Sequence, residues 1–204
     1  IIKKRAVLST VEIMQKEKVS DSVKETIINE FVPSVFNLFV EPEMTNLLTE
    51  IMDIPLKIEL KLDILMKCCL HENPDFSLNS LTLLSVFLSN NSDEISSSNL
   101  RTVVVDDIKK LCKLKRVELV IFFSKALKTF ENDKKMKKSI ISVIKSSTDV
   151  DDIGHFECSM MHLYIDLLLQ DGKKQAAAKI AADFIKKIEG KNEDIHNYIQ
   201  QLKE

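Results

Sequence analysis

One group of side chains in the sequence has the types and the spacing of metal ligands or of a cysteine nucleophile with its base. His155, Cys158 and His162 occur at i, i+3 and i+7, which places all three on one side of a helix. Cys158 and His162 could bind zinc, but a structural zinc site needs four ligands and the sequence has no second paired motif. A cysteine nucleophile also needs an oriented base and an oxyanion hole, which one helix face does not build. We therefore predict neither a metal site nor a catalytic residue here.

The sequence also lacks the common catalytic signatures. It has no GxSxG, HExxH, phosphate-loop or dinucleotide-binding pattern. The carboxylate pairs at 106–107 and 151–152 fall at expected helix starts or on solvent-facing positions, where helix capping accounts for them. We expect a protein that is not an enzyme and that binds no cofactor.

A second group of residues has the chemistry of an anion-binding surface. Residues 101–148 contain 13 Lys and Arg against 5 Asp and Glu, whereas residues 1–100 contain 9 against 15 and residues 149–204 contain 7 against 11. Lysines at the start of a helix oppose its macrodipole, so helix stability does not explain the four at 134–138. The sequence predicts a partner-binding or anion-binding face in this region. Its members are Lys109, Lys110, Lys113, Arg116, Lys134, Lys135, Lys137 and Lys138.

Such a face could bind an acidic protein segment, a phosphorylated peptide or a nucleic-acid backbone. The alternative is that these charged residues form a solvated polar surface that binds no partner. Phe122, Phe123 and Phe130 are the aromatic residues of the region, and their spacing is typical of a core instead of a platform for unpaired bases. We expect a protein partner that offers an acidic or amphipathic segment, with nucleic acid as the alternative.

The elements that position these residues are predicted to be helices almost throughout. The 204 residues include only 3 Gly and 4 Pro, too few for the turns of a β-sandwich, a barrel or a Rossmann fold. The apolar runs at 103–105 and 117–123 could form strands, but the residues that follow them continue helically without a turn signal. The prediction is an all-α fold of about eleven helices.

Helix breakers and capping residues mark where the predicted helices begin and end. Pro42 and Pro55 fit the first turn of a helix, and Pro33 should kink or divide one. Residues 90–99 are polar and rich in Ser and Asn, so we expect a loop there between two halves of a single domain spanning 1–204. Further helices are expected at about 100–113, 116–131, 134–146, 151–170, 173–189 and 193–203.

The C-terminal part of the sequence resembles a known kind of helical repeat. Residues 163–178 read LYIDLLLQDGKKQAAA, where a Gly ends one helix and small Ala residues let the next one pack closely. Residues 162–190 thereby resemble a tetratricopeptide-type hairpin, and the helix pairs that begin near residues 55 and 97 have the period of HEAT and armadillo units. This resemblance implies an α-solenoid-like array of antiparallel hairpins, a superhelical scaffold that binds other proteins.

The cysteines and the hydropathy indicate the cellular environment of the chain. Cys68, Cys69, Cys112 and Cys158 have no paired spacing, which indicates reduced and mostly buried thiols in the cytoplasm or the nucleus. The sequence has no run of about 18 apolar residues, so no membrane is expected. The chain begins without Met or a signal peptide, and we expect it to be a module of a larger protein.

These observations predict a protein–protein interaction scaffold within a larger multi-protein assembly. The partner would be a peptide or helix, bound in a groove between helices or on the basic face of residues 101–148. Helices at 76–89 and 151–170 are apolar almost all round and should lie inside the array. A last apolar stripe either packs on the preceding helix or forms a homodimer. It consists of Ile195, Tyr198, Ile199 and Leu202.

Overall fold

The computed structural model of the chain describes residues 2–14, 19–97, 99–149 and 152–188, and these fold as helices joined by short connections. Of the described residues 80% are helical and none lies in a strand, which confirms the predicted all-α class. The two stretches with strand-like composition are no exception. Residues 103–105 lie inside a helix, and the run 117–123 enters one at Leu119.

The chain divides into two compact units, Ile1–Ile95 and Ser96–Glu204. Counted with residues 21–36 as one continuous helix, the described residues form eleven helices. In the first unit they are α1 (Ile2–Ile13), α2 (Asp21–Thr26), a π-helical turn (Ile27–Phe31), α3 (Val32–Phe36), α4 (Glu43–Asp53), α5 (Ile58–Cys69) and α6 (Pro74–Asn90). The short α7 (Ser92–Ser97) spans the boundary, and the second unit continues with α8 (Leu100–Cys112), α9 (Leu119–Thr129), α10 (Lys134–Thr148), α11 (His155–Gln170) and α12 (Lys174–Ile188).

Two predicted breaks in the chain take a different form in the structure. Residues 90–99, expected as a loop, contain α7, because Ile95 is fully buried and anchors a helical turn there. Pro33 does not divide its helix. The N–H of Val32 donates to the carbonyl of Ile27, five residues back, so the chain widens into a π-helical turn just before the proline and then continues as α3. The predicted helix 193–203, its apolar stripe and Gly190 lie outside the described residues.

The core of the first unit forms where α4, α5 and α6 pack together. Leu47, Leu48 and Ile51 recur at i, i+1 and i+4 on α4 and are fully buried. The rings of Phe36 and Phe76 stand 4.8 Å apart between centroids, which joins α3 to the start of α6. Hydrophobic burial at helical spacing therefore builds this unit.

The connection between α5 and α6 is held by His71. Its Nε2 lies 2.9 Å from the Asn37 Oδ1, and its Nδ1 accepts the N–H of Asn73 at 3.0 Å. Asn73 in turn caps α6, since its Oδ1 accepts the N–H of Phe76 at 3.0 Å. Burial lowers the pKa of His71, and the charge of Glu72 opposes that shift in part. The neutral ring is the form that fits this hydrogen-bond network.

In the second unit, α8 and α10 lie side by side and point the same way. Their starts meet where Arg101 of α8 pairs with Asp133, the N-cap of α10, at 3.2 Å. Their ends meet where Lys109 of α8 and Lys113, the residue that follows α8, line a cleft together with Ser147 of α10. The buried residues of this unit include Phe123 of α9, Ile140 of α10, Cys158 of α11 and Phe184 of α12.

The expectation that α11 lies wholly inside is wrong for its second half. Phe156, Cys158 and Met160 in the first half are buried, but residues 163–168 are only half-buried and Leu169 is exposed. Across the turn at Gly172, the first turns of α12 supply small and polar residues, of which only Ala177 is buried before Ala181. The described residues of α12 therefore leave part of the apolar second half of α11 in contact with solvent.

The part of the chain that the structure describes contains no helix that is long and apolar enough to cross a membrane.

Candidate partner-binding surface

The residues with metal-ligand spacing do not converge in the structure. Cys158 is fully buried, whereas His155 and His162 are exposed. The Nε2 of His162 lies 3.6 Å from a carboxylate oxygen of Asp166 on the same helix. Burial, together with the charge of Glu157, raises the pKa of Cys158 to about 11, so its thiol stays protonated near neutral pH. Within residues 2–14, 19–97, 99–149 and 152–188, no group of three or more His, Cys, Asp or Glu could hold a metal ion.

The predicted basic residues separate into two groups in the second unit. Four lie on the first turns of α10, and the others lie near the end of α8 or just after it. The last turn of α10 lines the same cleft as the end of α8. From Lys138, the member of the α10 group nearest to that turn, to Ser147 is 9 residues along the helix, or about 14 Å at 1.5 Å per residue. The two groups therefore lie toward opposite ends of α10, separated along its axis.

At the end of α8, acidic neighbours account for much of the basic charge. Lys109 pairs with Asp106 at 2.8 Å, and Lys110 pairs with Asp107 at 2.7 Å. Asp107 lies on the buried face of the helix with 6% of its surface exposed, so Lys110 neutralises a carboxylate that is largely removed from water. Cations in the last turn also complement the helix macrodipole. Helix and core stability thus explain Lys109 and Lys110 without a partner.

Lys113 and Arg116 have different surroundings from these paired lysines. Lys113 is exposed and lines the cleft of about 220 Å³ between the ends of α8 and α10 and the start of α11. Arg116 lies half-buried in the connection from α8 to α9, where its carbonyl accepts the N–H of Leu119 at 3.1 Å. Arg116 is not among the residues that line the cleft. Lys113 therefore faces the cleft, whereas Arg116 lies outside it.

The start of α10 is the place where positive charge accumulates. Lys134, Lys135 and Lys138 are exposed, and in the described part of the chain their amines form no ion pair. The helix N-terminus adds its own partial positive charge at this end. We call these three residues the lysine cluster. Lys137 is half-buried and turned toward the end of α11, where its charge, after that of Lys173, helps to lower the pKa of Asp171.

One carboxylate sits beneath the lysine cluster, and the structure already uses both of its oxygens. Oδ1 of Asp133 accepts the N–H groups of Lys135 and Met136, each at 3.0 Å. Oδ2 accepts from Arg101, which also donates to the carbonyl of Ser96. Burial alone would raise the pKa of Asp133, but the N–H of Met136, Ser96 and Arg101 together hold it below its ordinary value. Asp133 therefore stays ionised while it caps α10, and Arg101 balances its charge.

Sequence reasoning placed Lys115 only beside the other basic residues of α8 and missed its contact with a buried carboxylate. This residue ends the turn after α8 with a φ of 48°, a left-handed conformation that side-chain-bearing residues rarely adopt. Its Nζ lies 3.3 Å from a carboxylate oxygen of Glu157 and 3.4 Å from one of Asp152. Glu157 is 2% exposed and also accepts the N–H of Gly154 at 2.9 Å. The hydrogen bond to Glu157 is the main reason why the pKa of Lys115 is raised.

Lys115 thus joins the α8–α9 connection to the start of α11 by neutralising a buried carboxylate. A Gly-x-x-Glu pattern at 154–157 could have indicated the capping role of Glu157, since a residue at that position reaches back to the helix start. No sequence signal marks a lysine in the left-handed region, where Gly or Asn is the usual residue. The bond to Lys115 depends on tertiary packing that the spacing of residues does not contain.

Comparison of the chain with protein-family models, with curated proteins and with solved structures finds no match.

Proposed function

We propose that the chain is a non-enzymatic interaction module of a larger multi-protein assembly, which binds an acidic segment of a partner protein at the lysine cluster of α10. The observation that carries this proposal is the position of Lys134, Lys135 and Lys138. All three are exposed at a helix start whose one capping carboxylate is already occupied. Placing them there costs helix stability, because like charges gather at the positive end of the macrodipole. A bound anion would remove that cost.

The chemistry of the cluster favours carboxylates on a flexible or helical segment. Exposed lysine–carboxylate pairs contribute about 0.2–1 kcal/mol each, so three of them supply at most about 3 kcal/mol and predict a weak and salt-sensitive affinity. Lys145 extends positive charge along the same helix, seven residues after Lys138. Segments with several Asp or Glu at helical spacing could therefore engage α10 over more than one turn.

We further propose that the helices form an α-solenoid-like array of antiparallel hairpins, as the resemblance to helical repeats implies. The alignment of α8 with α10 supports this, because alternate helices point the same way when hairpins stack. Four free cysteines, of which Cys68, Cys69 and Cys158 are buried, support a reducing compartment, the cytoplasm or the nucleus.

The test measures binding of a fluorescein-labelled acidic decapeptide, made of Glu and Asp, by fluorescence anisotropy at low ionic strength. We expect binding that weakens with salt and that is lost when Lys134, Lys135 and Lys138 are all changed to Glu. The matched control changes Lys113, Lys125 and Lys128 to Glu, since these three exposed lysines of the same unit lie outside the cluster. The control should bind the peptide within about twofold of the wild type.

Two outcomes contradict the proposal. The first is that the wild type fails to bind the acidic peptide at about 20 mM salt, where surface electrostatics are strongest. The second is that the control loses as much affinity as the cluster variant, which would make the interaction a general effect of charge. A duplex DNA probe in parallel tests the alternative, since tighter binding of DNA with a steep salt dependence would favour a nucleic-acid partner.

A further inference from the structure

The first unit contains a groove that the lysine cluster does not explain. The last turns of α4 and α6, the start of α5 and the start of α7 enclose a cavity of about 460 Å³. That volume falls within the range of about 300–1,000 Å³ of pockets that bury a ligand. We call this cavity the α4–α6 groove. Its apolar lining consists of Met52, Leu56, Ile58, Leu83, Val86 and Phe87.

The apolar side chains that line the α4–α6 groove are buried at its bottom and partly exposed to solvent nearer its opening. Leu56 and Phe87 are buried beneath it. Met52, Ile58 and Leu83 are only half-buried, and Val86 is 52% exposed. A continuous set of half-exposed apolar residues rimmed by polar ones is typical of a binding site for another protein.

The charges around the groove point to a basic occupant. Asp53 and Glu94 both lie exposed at its rim. The one lysine of the lining, Lys61, donates from its amine to the carbonyl of Met52 at the end of α4 and is half-buried. Residues 1–95 as a whole carry 9 Lys and Arg against 15 Asp and Glu, so the field of this unit attracts cations.

We propose that the α4–α6 groove binds an amphipathic helix of a partner protein that carries an apolar stripe flanked by Lys or Arg. The described residues contain no strand, so an extended peptide would find no sheet edge to extend among them. A helix satisfies its own backbone and inserts apolar side chains spaced at i, i+3, i+4 and i+7. The basic flanks then reach the carboxylates of Asp53 and Glu94. This surface lies on a different unit from the lysine cluster and prefers the opposite charge, so it goes beyond the function proposed above.

The experiment uses the full chain and two labelled 14-residue helical peptides with Leu at i, i+3, i+4 and i+7, one with Lys and one with Glu at the polar positions. The wild type should bind the Leu/Lys peptide more tightly than the Leu/Glu peptide. Val86→Lys places a charge in the groove at an exposed position, and it should weaken binding of the Leu/Lys peptide by at least about tenfold. Leu78→Lys is the matched control, because Leu78 is 41% exposed on the same helix and does not line the groove. It should change the affinity by less than about twofold.

A second variant tests the charge of the rim without touching the apolar floor. The double change Asp53→Asn and Glu94→Gln alters two exposed residues, and it should weaken the Leu/Lys peptide by about threefold to tenfold and flatten the salt dependence. Circular dichroism at 222 nm shows whether each variant keeps its helices. The lysine-cluster variant should bind the Leu/Lys peptide as the wild type does, so this proposal and the proposed function can fail separately.

Three results would overturn the proposal. Equal losses in Val86→Lys and Leu78→Lys would show that the peptide binds any exposed apolar residue. Equal affinity for the Leu/Glu peptide would remove the argument from charge. A dimer in sedimentation velocity that disappears in Val86→Lys and not in Leu78→Lys would identify a second copy of the chain as the occupant of the groove.

Discussion

Asp133 holds the start of α10 in two ways, and substitutions can separate them. Its Oδ1 caps the helix by accepting two backbone N–H groups, and its Oδ2 pairs with Arg101 of α8. Asp133→Asn keeps a side-chain oxygen that can cap the helix but removes the charge. Asp133→Ala removes both. The pair of variants therefore measures the cap and the ion pair separately.

The expected magnitudes follow from the geometry and the burial of these groups. An N-cap replaced by Ala costs about 1 kcal/mol of the free energy of unfolding. The side chains of Asp133 and Arg101 are 14% and 29% exposed, so their ion pair is screened less than a surface pair and should contribute about 1 kcal/mol. Asp133→Asn should thus cost about 1 kcal/mol and Asp133→Ala about 2 kcal/mol.

Urea unfolding followed by circular dichroism at 222 nm measures these differences. Adding Arg101→Met, alone and together with Asp133→Asn, completes a double-mutant cycle, in which we expect a coupling energy of about 1 kcal/mol. Because the folded pKa of Asp133 is lowered, its contribution is complete above the ordinary carboxyl pKa and is lost as the pH falls through the folded value. The advantage of the wild type over Asp133→Asn should therefore shrink below about pH 4.

Two results would refute this reasoning. If Asp133→Asn costs as much as Asp133→Ala, the hydrogen bonds to the N–H groups of Lys135 and Met136 do not stabilise the helix start. If the cycle gives no coupling, the ion pair that aligns the starts of α8 and α10 contributes nothing to stability. A stability difference between wild type and Asp133→Asn that persists unchanged to about pH 2 would contradict the lowered pKa of the carboxyl.

Four further predictions follow from other contacts. Lys115→Gly should melt about 2–4 °C above Lys115→Ala, because both variants lose the bond to Glu157 but only glycine removes the cost of the left-handed backbone. Equal melting temperatures of the two variants would argue against that conformation. Burial lowers the pKa of His71, so the urea midpoint of the wild type should fall relative to His71→Gln between about pH 7 and 5, and parallel curves would contradict the neutral ring. Phe123→Ala removes a fully buried ring and should lower the free energy of unfolding by about 3–5 kcal/mol, whereas a loss below about 1 kcal/mol would place the ring outside the core. Ellman's reagent at pH 8 should modify the half-buried Cys112 first and the three buried thiols with raised pKa values only in urea, and prompt reaction of all four would contradict their burial.

Local chemistry was enough to predict the class of fold and many helix starts. The scarcity of Gly and Pro left helices as the main element, and the helices expected from about residues 100, 134 and 173 begin at Leu100, Lys134 and Lys174. The short α7 was not predicted, because its six residues are polar apart from Ile95, and only burial of that one side chain makes them helical. The second half of α11 was placed inside for a related reason. An apolar sequence shows that a helix can be buried, but the cover depends on which neighbour is present.

The candidate surface was predictable only as a list of charges. Lys110 and Lys138 look alike in the sequence, yet one neutralises the buried carboxylate of Asp107 and the other projects into solvent. The difference arises from which face of each helix packs against the core. The periodicity of apolar residues gives that face only after the helix boundaries are known. The separation of about 14 Å along α10 between the two basic groups likewise depends on how α8 and α10 align.

The two proposed surfaces give a structural meaning to the segregation of charge along the chain. Residues 1–95 carry 9 Lys and Arg against 15 Asp and Glu, residues 101–148 carry 13 against 5, and residues 149–204 carry 7 against 11, so the charge changes sign near the boundary between the two compact units and again within the second unit. A uniform surface would need no such change for solubility, because a small net charge of one sign everywhere serves that purpose. If both proposals hold, the basic charge of residues 101–148 would disfavour a basic helix at the lysine cluster, and the acidic charge of residues 1–95 would disfavour an acidic segment at the α4–α6 groove.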